Sequence, residues 1–199
     1  MTQNTFNKLR ALKTGLSLAC FLVAATAWSQ VAPGSGTVSY SIGFNHIGQG
    51  TNFNNTSTNG LATGFDGGYN VNQYVELGGE FNFFGMPQVD GVNMHVLNYG
   101  FQAHFNLTPG SRIVPYGVFG VGGDRLTLSE DGVSASASGA YFGGGAGVNF
   151  FVGPNWGVRA ELRDSRDGFT VNGASGNTSV FAMTGGIFYQ FGGHSAKKK

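Results

Sequence analysis

The sequence is short of charged residues, cysteine and proline. Charged residues make up 11% of its 199 residues, and it contains 1 Cys and 5 Pro against 35 Gly and 18 Phe. Proline is too scarce for a collagen-like chain, and no strict triplet repeat is present. Downstream of the N-terminal segment, no helical period of convincing length occurs. Glycine interleaved with aromatic residues is instead typical of β-sheet, where glycine eases curvature and close backbone approach.

Lysine is confined to the two ends of the chain. Lys8, Arg10 and Lys13 lie at the front, and Lys197–Lys199 lie at the back. The segment between them holds five Arg and all 10 acidic residues, so it carries a net charge of −5. This balance excludes a basic surface for nucleic acid, and we expect no nucleic-acid partner. We interpret the three terminal lysines as keeping a short tail soluble.

Residues 1–29 are predicted to be a secretory signal peptide. Basic residues precede the apolar stretch GLSLACFLVAATA, which is short for a membrane-spanning helix. Small residues permit cleavage after Ala27 or after Ser29. The single cysteine, Cys20, would leave with this segment, so no disulfide is expected. Lipid attachment at Cys20 is the weaker alternative, because Ser17 stands where a bacterial lipoprotein signal has an aliphatic residue.

Apolar and polar residues alternate along eight segments of the chain. In the clearest segment, Phe101 and Phe105 share one face, and Gln102 and His104 share the other. Short turns alternate with long loops rich in Gly, Asn, Ser, Thr and Asp, which indicates an antiparallel up-and-down sheet with all long loops at one end. The predicted long loops are about 48–60, 85–94, 124–138 and 165–178. The predicted strands are 37–47, 61–71, 75–84, 95–107, 113–123, 139–151, 156–164 and 180–191.

The two faces of these segments differ in a way that favours a membrane protein. One face is large and aromatic, whereas the other carries Gly, Asn, Ser and Gln with occasional charges, and the predicted strands contain no Lys. Each segment has about the 9–11 residues that a tilted strand needs to cross a bilayer. The sequence therefore predicts an all-β fold, an eight-stranded antiparallel up-and-down transmembrane β-barrel with its apolar face toward lipid. A soluble, secreted ligand-binding barrel, with the two faces exchanged, is the alternative.

The stretch NWGVRAELRDSRDG, residues 155–168, concentrates charge on one side of a strand. Val158, Ala160 and Leu162 would face lipid, where an Arg at mid-depth would cost about 2–4 kcal/mol. The alternate residues would face a lumen that, in an eight-stranded barrel, is only wide enough for side chains. Acidic residues of the third strand lie opposite the seventh strand and could pair with them. The predicted lumenal charge network consists of Glu76, Glu80, Gln102, His104, Arg159, Glu161 and Arg163.

The segment TGGIFYQF, residues 184–191, also has an ordered pattern. A polar residue is followed by Gly two positions later and then by two hydrophobic residues at alternate positions; these are Thr184, Gly186, Tyr189 and Phe191. In this pattern and in its strands, the chain resembles the outer-membrane β-barrel family of bacteria, of the type of the outer membrane protein A transmembrane domain. The resemblance covers roughly residues 37–191, and it implies that the barrel-assembly machinery reads the terminal segment.

The resemblance further implies a location in the outer membrane of a bacterial cell, in contact with its lipid. The domain order is then a signal peptide at 1–29, a barrel at 30–191 and a basic tail at 192–199. We expect a monomer with a structural or surface-interaction role, a side-chain-filled lumen and mobile extracellular loops. A small-solute, porin-like channel is the main alternative, although barrels that conduct generously have more strands.

Catalysis and cofactor binding receive little support from the residue pattern. His46 and His95 are predicted near the outer rim, close to Ser57 and Asp90, and such a set resembles the His, Ser and acid of lipid-modifying outer-membrane enzymes. Hydroxyl-rich loops with one nearby His are common by chance, so we expect no enzymatic activity. The run Gly143–Gly147 lacks the Lys-Ser/Thr of a phosphate loop, and no metal-ligand spacing occurs. We expect no cofactor and no metal.

Overall fold

The chain forms a closed barrel of eight antiparallel strands, in which each strand pairs with its sequence neighbours and the last pairs with the first. The computed structural model describes residues 31–49, 58–85, 93–130, 133–171 and 174–193. The predicted all-β, eight-stranded up-and-down barrel is confirmed. The strands are β1 (Ser35–Gln49), β2 (Thr58–Asn70), β3 (Val75–Gly85), β4 (Asn93–Asn106), β5 (Ile113–Glu130), β6 (Val133–Phe151), β7 (Trp156–Val171) and β8 (Ala174–Gly192).

Three short turns lie at one end of the barrel, which we call the inner end; the opposite end is the outer end. The turns join β2 to β3, β4 to β5 and β6 to β7, where the sequence places turn residues. In the first turn, the Asn72 side-chain oxygen accepts hydrogen bonds from the backbone N–H groups of Tyr74 and Val75, at 2.7 and 2.9 Å. The described residues contain no helix that is long and apolar enough to cross a membrane.

Along most of the barrel wall, large apolar side chains point outward. Phe101 on β4 is 78% exposed and Leu162 on β7 is 48% exposed, whereas their strand neighbours Gln102 and Arg163 are buried. Successive side chains of a strand point to opposite faces, which explains both orientations. At the inner end the outward side chains are mainly aromatic, as in the girdle of a membrane barrel. These girdle residues are Tyr69, Tyr74, Trp156, Tyr189 and Phe191.

The strands of the second half of the barrel are longer than the sequence predicts. Long loops are predicted at 124–138 and 165–178, but most of these residues extend the paired strands β5 to β8. The β5–β6 ladder continues to the pair Glu130 and Val133, so that hairpin is joined by only two residues. The β7–β8 hairpin is joined in the same way. These two predicted loops are therefore wrong.

Two dipeptides in the sequence mark the short connections. Asp131-Gly132 and Asn172-Gly173 are among the strongest signals for a two-residue hairpin, and both lie outside the described residues. The other two predicted loops, 48–60 and 85–94, are shortened because β1 to β4 extend into them. The predicted loop mobility concerns 50–57 and 86–92, which also lie outside the described residues.

The arrangement of apolar and polar side chains reverses at the outer end. Polar residues such as His46, His95, Arg125 and Ser138 point outward there, while the interior is apolar. A barrel segment in water buries its apolar face, so this end has the polarity of a soluble protein. The prediction that apolar residues face outward therefore holds only for the part of the barrel between the inner end and this outer end. We call the buried cluster the outer core; it consists of Ile47, Ala62, Phe84, Val96, Leu126, Ala137, Val180 and Ala182.

Candidate functional site

The seven residues of the predicted charge network all lie on inward positions of three strands. β3 supplies Glu76 and Glu80, and β4 supplies Gln102 and His104. The remaining three residues come from β7, where they alternate with outward apolar side chains. Six of the seven are buried and Glu161 is partly buried, although charged residues are rarely buried without partners. Their partners decide what the interior can do.

Arg163 is the centre of the part of the network that lies nearer the outer end. Its guanidinium group forms an ion pair with Glu80, which reaches it from the opposite wall of the barrel. Its Nε lies 3.2 Å from Glu161 Oε1, and its Nη2 donates a hydrogen bond to Gln102 Oε1 at 3.2 Å. The structure thus brings four of the seven predicted residues into direct contact.

Arg159 binds partners that the sequence analysis leaves out of the network. Its Nη1 lies 3.0 Å from Asp66 Oδ1 and donates to Ser39 Oγ at 3.0 Å, while its Nε donates to Asn149 Oδ1 at 2.9 Å. Asp66 was within reach of sequence reasoning, because it lies on the polar face of its predicted strand. What the sequence does not contain is the stagger between strands that selects Asp66 rather than Glu76 as the ion-pair partner.

Tyr116 joins the part of the network around Arg159, nearer the inner end, to the part around Arg163. Its hydroxyl donates a hydrogen bond to Glu161 Oε2 at 2.7 Å. The His104 ring stacks on its ring with a centroid separation of 4.8 Å, and the Arg159 guanidinium carbon lies 5.3 Å from its centroid. His104 Nδ1 also lies 3.7 Å from Glu76 Oε1, so the remaining two predicted residues are neighbours.

A second tyrosine anchors Glu80. The Tyr141 hydroxyl donates to Glu80 Oε1 at 2.5 Å, and the Asn82 amide donates to Glu80 Oε2 at 2.9 Å. Gly120 leaves the necessary room, because a Cβ at that position would collide with the Glu80 carboxylate. Tyr116 and Tyr141 belong to the two glycine-rich strands, where irregular alternation hides which side chains point inward. Both tyrosines are therefore network residues that the sequence analysis missed.

Apolar side chains close the lumen on both sides of this network. Toward the outer end lies the outer core. Toward the inner end, Val31, Val114, Phe151 and Phe188 form a second buried cluster, with the two phenylalanine rings packed edge to face at 4.8 Å. A cavity of about 20 Å³ remains beside Arg159 and Arg163, which is room for about one water molecule. No group of three or more His, Cys, Asp and Glu within the described residues could hold a metal ion.

The four residues of the predicted assembly signal lie along β8. Thr184 and Gly186 face inward, and Tyr189 and Phe191 face outward at the inner end. β8 closes the barrel by pairing with β1, with Tyr189 opposite Val38. The signal residues therefore lie on the strand that completes the barrel.

The candidate catalytic histidines lie on β1 and β4 at the outer end. His46 Nδ1 lies 2.9 Å from Asn59 Oδ1 on the outward face of the barrel, and the His95 ring stacks on Phe83. Ser57 and Asp90, the other members of that predicted set, lie outside the described residues. The described contacts of the two histidine rings are thus with an amide and an aromatic ring.

Comparison with known proteins gives one family and a set of structures. Residues 15–191 match the family model of the outer membrane protein beta-barrel domain. Neisserial surface protein A has the same fold, with a TM-score of 0.69 and 17% identity over 79% of this chain and 99% of that chain. No curated protein matches the sequence significantly.

Two further outer-membrane structures resemble the barrel less closely. OprG from Pseudomonas aeruginosa has a TM-score of 0.53 and 11% identity over 82% of this chain and 99% of that chain. Ail, the attachment invasion locus protein of Yersinia pestis, was solved in complex with the heparin analogue sucrose octasulfate. It has a TM-score of 0.52 and 18% identity over 80% of this chain and 99% of that chain. At these identities the likeness establishes the fold.

The family match spans most of the chain, and a closed barrel satisfies every backbone hydrogen bond within lipid. The outward apolar wall gives this barrel a surface suited to hydrocarbon. The predicted resemblance and the predicted location are both confirmed. This chain belongs to the outer membrane protein β-barrel family and lies in the bacterial outer membrane.

Proposed function

We propose that the chain is a monomeric, non-conducting barrel that strengthens the outer membrane and presents its outer end for interaction at the cell surface. The observation that carries this proposal is the filled lumen. An ionic network crosses it, and apolar clusters lie on both sides. A continuous water path would have to displace all three layers.

The ionic layer is the hardest of the three to open. Each guanidinium of the network has at least one carboxylate partner and further hydrogen bonds, so moving either one strands a buried charge. Breaking a buried pair by losing one partner costs about 3–5 kcal/mol. A passing ion would have to compensate that cost, which supports a closed barrel rather than a porin-like channel.

The outer end supports the surface-interaction part of the proposal. β6 and β8 contain 19 residues each, whereas β3 contains 11. With a rise of about 3.3 Å per residue and a tilt of about 40°, each of these two strands spans roughly 20 Å more along the barrel axis than β3 does, and much of that extra length lies at the outer end. Ser134, Ser136 and Ser138 line their exposed face. A paired hairpin loses little conformational entropy when a partner binds, which favours recognition.

The names of similar structures are in keeping with such a role. One is called a surface protein, and another is called an attachment invasion locus protein and was solved with a heparin analogue. For this chain we propose the general role only, because the exposed residues at its outer end do not favour one class of ligand.

Conductance across a planar bilayer tests the closed-barrel proposal. Folded protein, verified by heat-modifiable gel migration, should give no steady conductance. A matched variant in which Arg163 and Glu80 are both replaced by Ala should also give no steady conductance, because the apolar clusters on both sides still close the lumen. Steady, large conductance of the wild-type protein would refute the proposal in favour of the porin-like alternative.

A further proposal is that the barrel has no enzymatic activity. The histidines nearest the outer end contact Asn59 and Phe83, and neither neighbour is an acid or a nucleophile. Incubation with outer-membrane lipid, followed by mass spectrometry of that lipid, should show no modified product. A product that disappears in the His46→Ala or His95→Ala variant would contradict this.

We also propose that residues 1–29 are removed as a signal peptide and that residues 192–199 form a short basic tail. Val31, just after the proposed cleavage sites, is buried against Phe151 and Phe188 at the inner end. The mass of protein extracted from outer membranes should correspond to a chain that begins between Trp28 and Val31. A mass that includes the first 27 residues would contradict the proposal.

A further inference from the structure

Among the buried oxygen-bearing residues near the outer core that have no role in the charge network, three lie together. They are Asn98 on β4, Asp124 on β5 and Asp167 on β7, and their exposed fractions are 1%, 0% and 0%. Asn98 and Asp124 are direct partners in the β4–β5 ladder. The Asn98 side chain lies within hydrogen-bonding range of the Asp167 carboxylate. The three side chains therefore converge on one region of the lumen.

Most oxygens of this group lack a side-chain donor. Both carboxylate oxygens of Asp124, Oδ1 of Asp167 and Oδ1 of Asn98 are buried without one, and Asp124 has only the backbone N–H groups of Gly139 and of Asp124 itself within range. The donors that reach Asp167 are neutral: the Ser165 hydroxyl donates to Asp167 Oδ2 at 3.3 Å, and the Asn98 amide lies within hydrogen-bonding range. Leaving a buried polar atom without a partner is destabilising, and more so if the atom is charged. Within the described residues no cationic side chain is among these donors, so the two carboxylates lack a positive partner.

The described lumen as a whole also has fewer positive groups than carboxylates. Within the described residues, six carboxylates face the interior (Asp66, Glu76, Glu80, Asp124, Glu161 and Asp167), against two guanidinium groups. Both guanidinium groups are engaged in the network. Arg125 and Arg166 follow Asp124 and precede Asp167 directly in sequence, but strand alternation turns them outward. No arginine of the described chain therefore reaches the two aspartates.

A glycine of the barrel wall makes room for the Asp124 carboxylate. β6 separates β5 from β7, and its residue facing Asp124 is Gly139. A Cβ on Gly139 would lie 2.8 Å from Asp124 Oδ1, so any side chain there would fill the space that the carboxylate occupies. The charge of Asp124 acts on Asp167 within the lumen. Two like charges that interact in a buried site repel each other unless a cation or protons neutralise them.

We propose that Asn98, Asp124 and Asp167 form a Ca²⁺ site inside the barrel, between the charge network and the outer core. Carboxylate and amide oxygens are the ligands that Ca²⁺ prefers, and water would complete its coordination. A site with two carboxylates should bind weakly, with a Kd of about 10⁻⁴–10⁻³ M, as in extracellular modules. The ion would tie β4, β5 and β7 together at the base of the extended hairpins.

Calorimetric titration of the refolded full-length barrel with CaCl₂ tests the site. Wild-type protein should bind one Ca²⁺, and the variants Asp124→Asn and Asp167→Asn should each lose at least about tenfold in affinity, since each removes one anionic ligand. Asp164→Asn is the matched control, because Asp164 lies on β7 but points outward and pairs with Arg166. It should bind like the wild type. Absence of saturable binding to the wild type, or unchanged binding by both lumenal variants, would overturn the proposal.

A second measurement separates loss of the site from loss of the fold. Tb³⁺ should replace Ca²⁺ and emit when tyrosine is excited, because Tyr141 is the ladder partner of Asp167. Ca²⁺ should quench that emission by competition. In EDTA, the two Asp→Asn variants should unfold at higher urea concentration than the wild type, because the repulsion is relieved. In Ca²⁺ the order should reverse. Identical behaviour with and without Ca²⁺ would show that protons, and not a metal ion, neutralise the pair.

Discussion

Arg163 on β7 and Glu80 on β3 form an ion pair across the interior of the barrel, between two strands that share no hydrogen-bonded ladder. The pair is held at both ends. Gln102 and Glu161 contact the guanidinium group, and Tyr141 and Asn82 donate to the carboxylate. Opposite walls of the barrel are thereby joined through their side chains.

Loss of Arg163 should destabilise the barrel strongly. Arg163→Ala should lower the free energy of unfolding by about 3–5 kcal/mol, because Glu80 is left buried without its charge partner. Urea unfolding in lipid vesicles measures this. The matched control is Arg166→Ala on the same strand, where the exposed ion pair with Asp164 contributes about 0–1 kcal/mol. Equal losses in the two variants would contradict the buried network.

Removal of one hydroxyl tests the anchoring of Glu80. Tyr141→Phe should cost about 1–3 kcal/mol, because the carboxylate loses a buried donor while the ring remains. Tyr99→Phe serves as control, since Tyr99 points outward and is partly exposed. Its cost should be within about 0.5 kcal/mol of zero. The same unfolding assay applies, and a Tyr141→Phe barrel as stable as the wild type would speak against this contact.

Arginine substitutions on β6 should locate the edge of the hydrocarbon. Ala146→Arg introduces a charge beside Leu162 on the apolar wall and should cost about 2–4 kcal/mol. Ser136→Arg introduces the same charge on the same face of the same strand, but at the outer end. It should cost less than about 0.5 kcal/mol, as a surface substitution in water does. A similar cost for both would place the outer end within lipid.

Adjacent phenylalanines on β3 distinguish the outer core from the wall. Phe84 is 4% exposed within the outer core, whereas Phe83 points outward and is 38% exposed. Phe84→Ala should lower the unfolding free energy by about 3–5 kcal/mol, because it leaves an internal cavity. Phe83→Ala leaves no such cavity and should cost clearly less. The reverse order of stabilities would mean that the outer core does not support the fold.

Substitution of Phe191 tests the proposed assembly signal. Phe191→Ala should reduce the fraction of folded barrel in growing cells, while refolding of the purified chain into detergent proceeds as in the wild type. Ile187→Ala is the control, since Ile187 lies on the same outward face of β8 outside the signal. It should assemble normally in cells. A Phe191→Ala defect that also appears in refolding would assign the residue to stability rather than recognition.

Strand alternation predicts much of this barrel from sequence alone. The period of two places Arg159 and Arg163 on the face opposite Val158 and Leu162, and the same argument yields eight strands. It does not identify partners, because the stagger of the strands decides that Arg159 contacts Asp66 instead of Glu76. Glycine-rich strands give no clear alternation, which is why Tyr116 and Tyr141 are found only in the structure.

The outer end escapes prediction for a different physical reason. The alternation of a lipid-facing wall stops near Arg125 and Ser138, and beyond it the inward residues are the apolar ones. A search for outward aromatic residues therefore interprets 124–138 as loop. The dipeptide Asp131-Gly132 is a local signal that does not depend on polarity, and it indicates a continuing hairpin.

The reversal of polarity at the outer end and the aromatic girdle at the inner end together fix the position of the barrel along the membrane normal. A shift of the barrel toward its inner end would place Arg125 and Arg166 among the acyl chains. A shift toward its outer end would move Trp156 and Tyr189 out of the membrane–water interface. A host membrane thicker or thinner than this span must stretch or pinch around the protein, at a cost of fractions of a kcal/mol per Å. The distance between these two boundaries therefore sets the thickness of hydrocarbon that the barrel accommodates without strain.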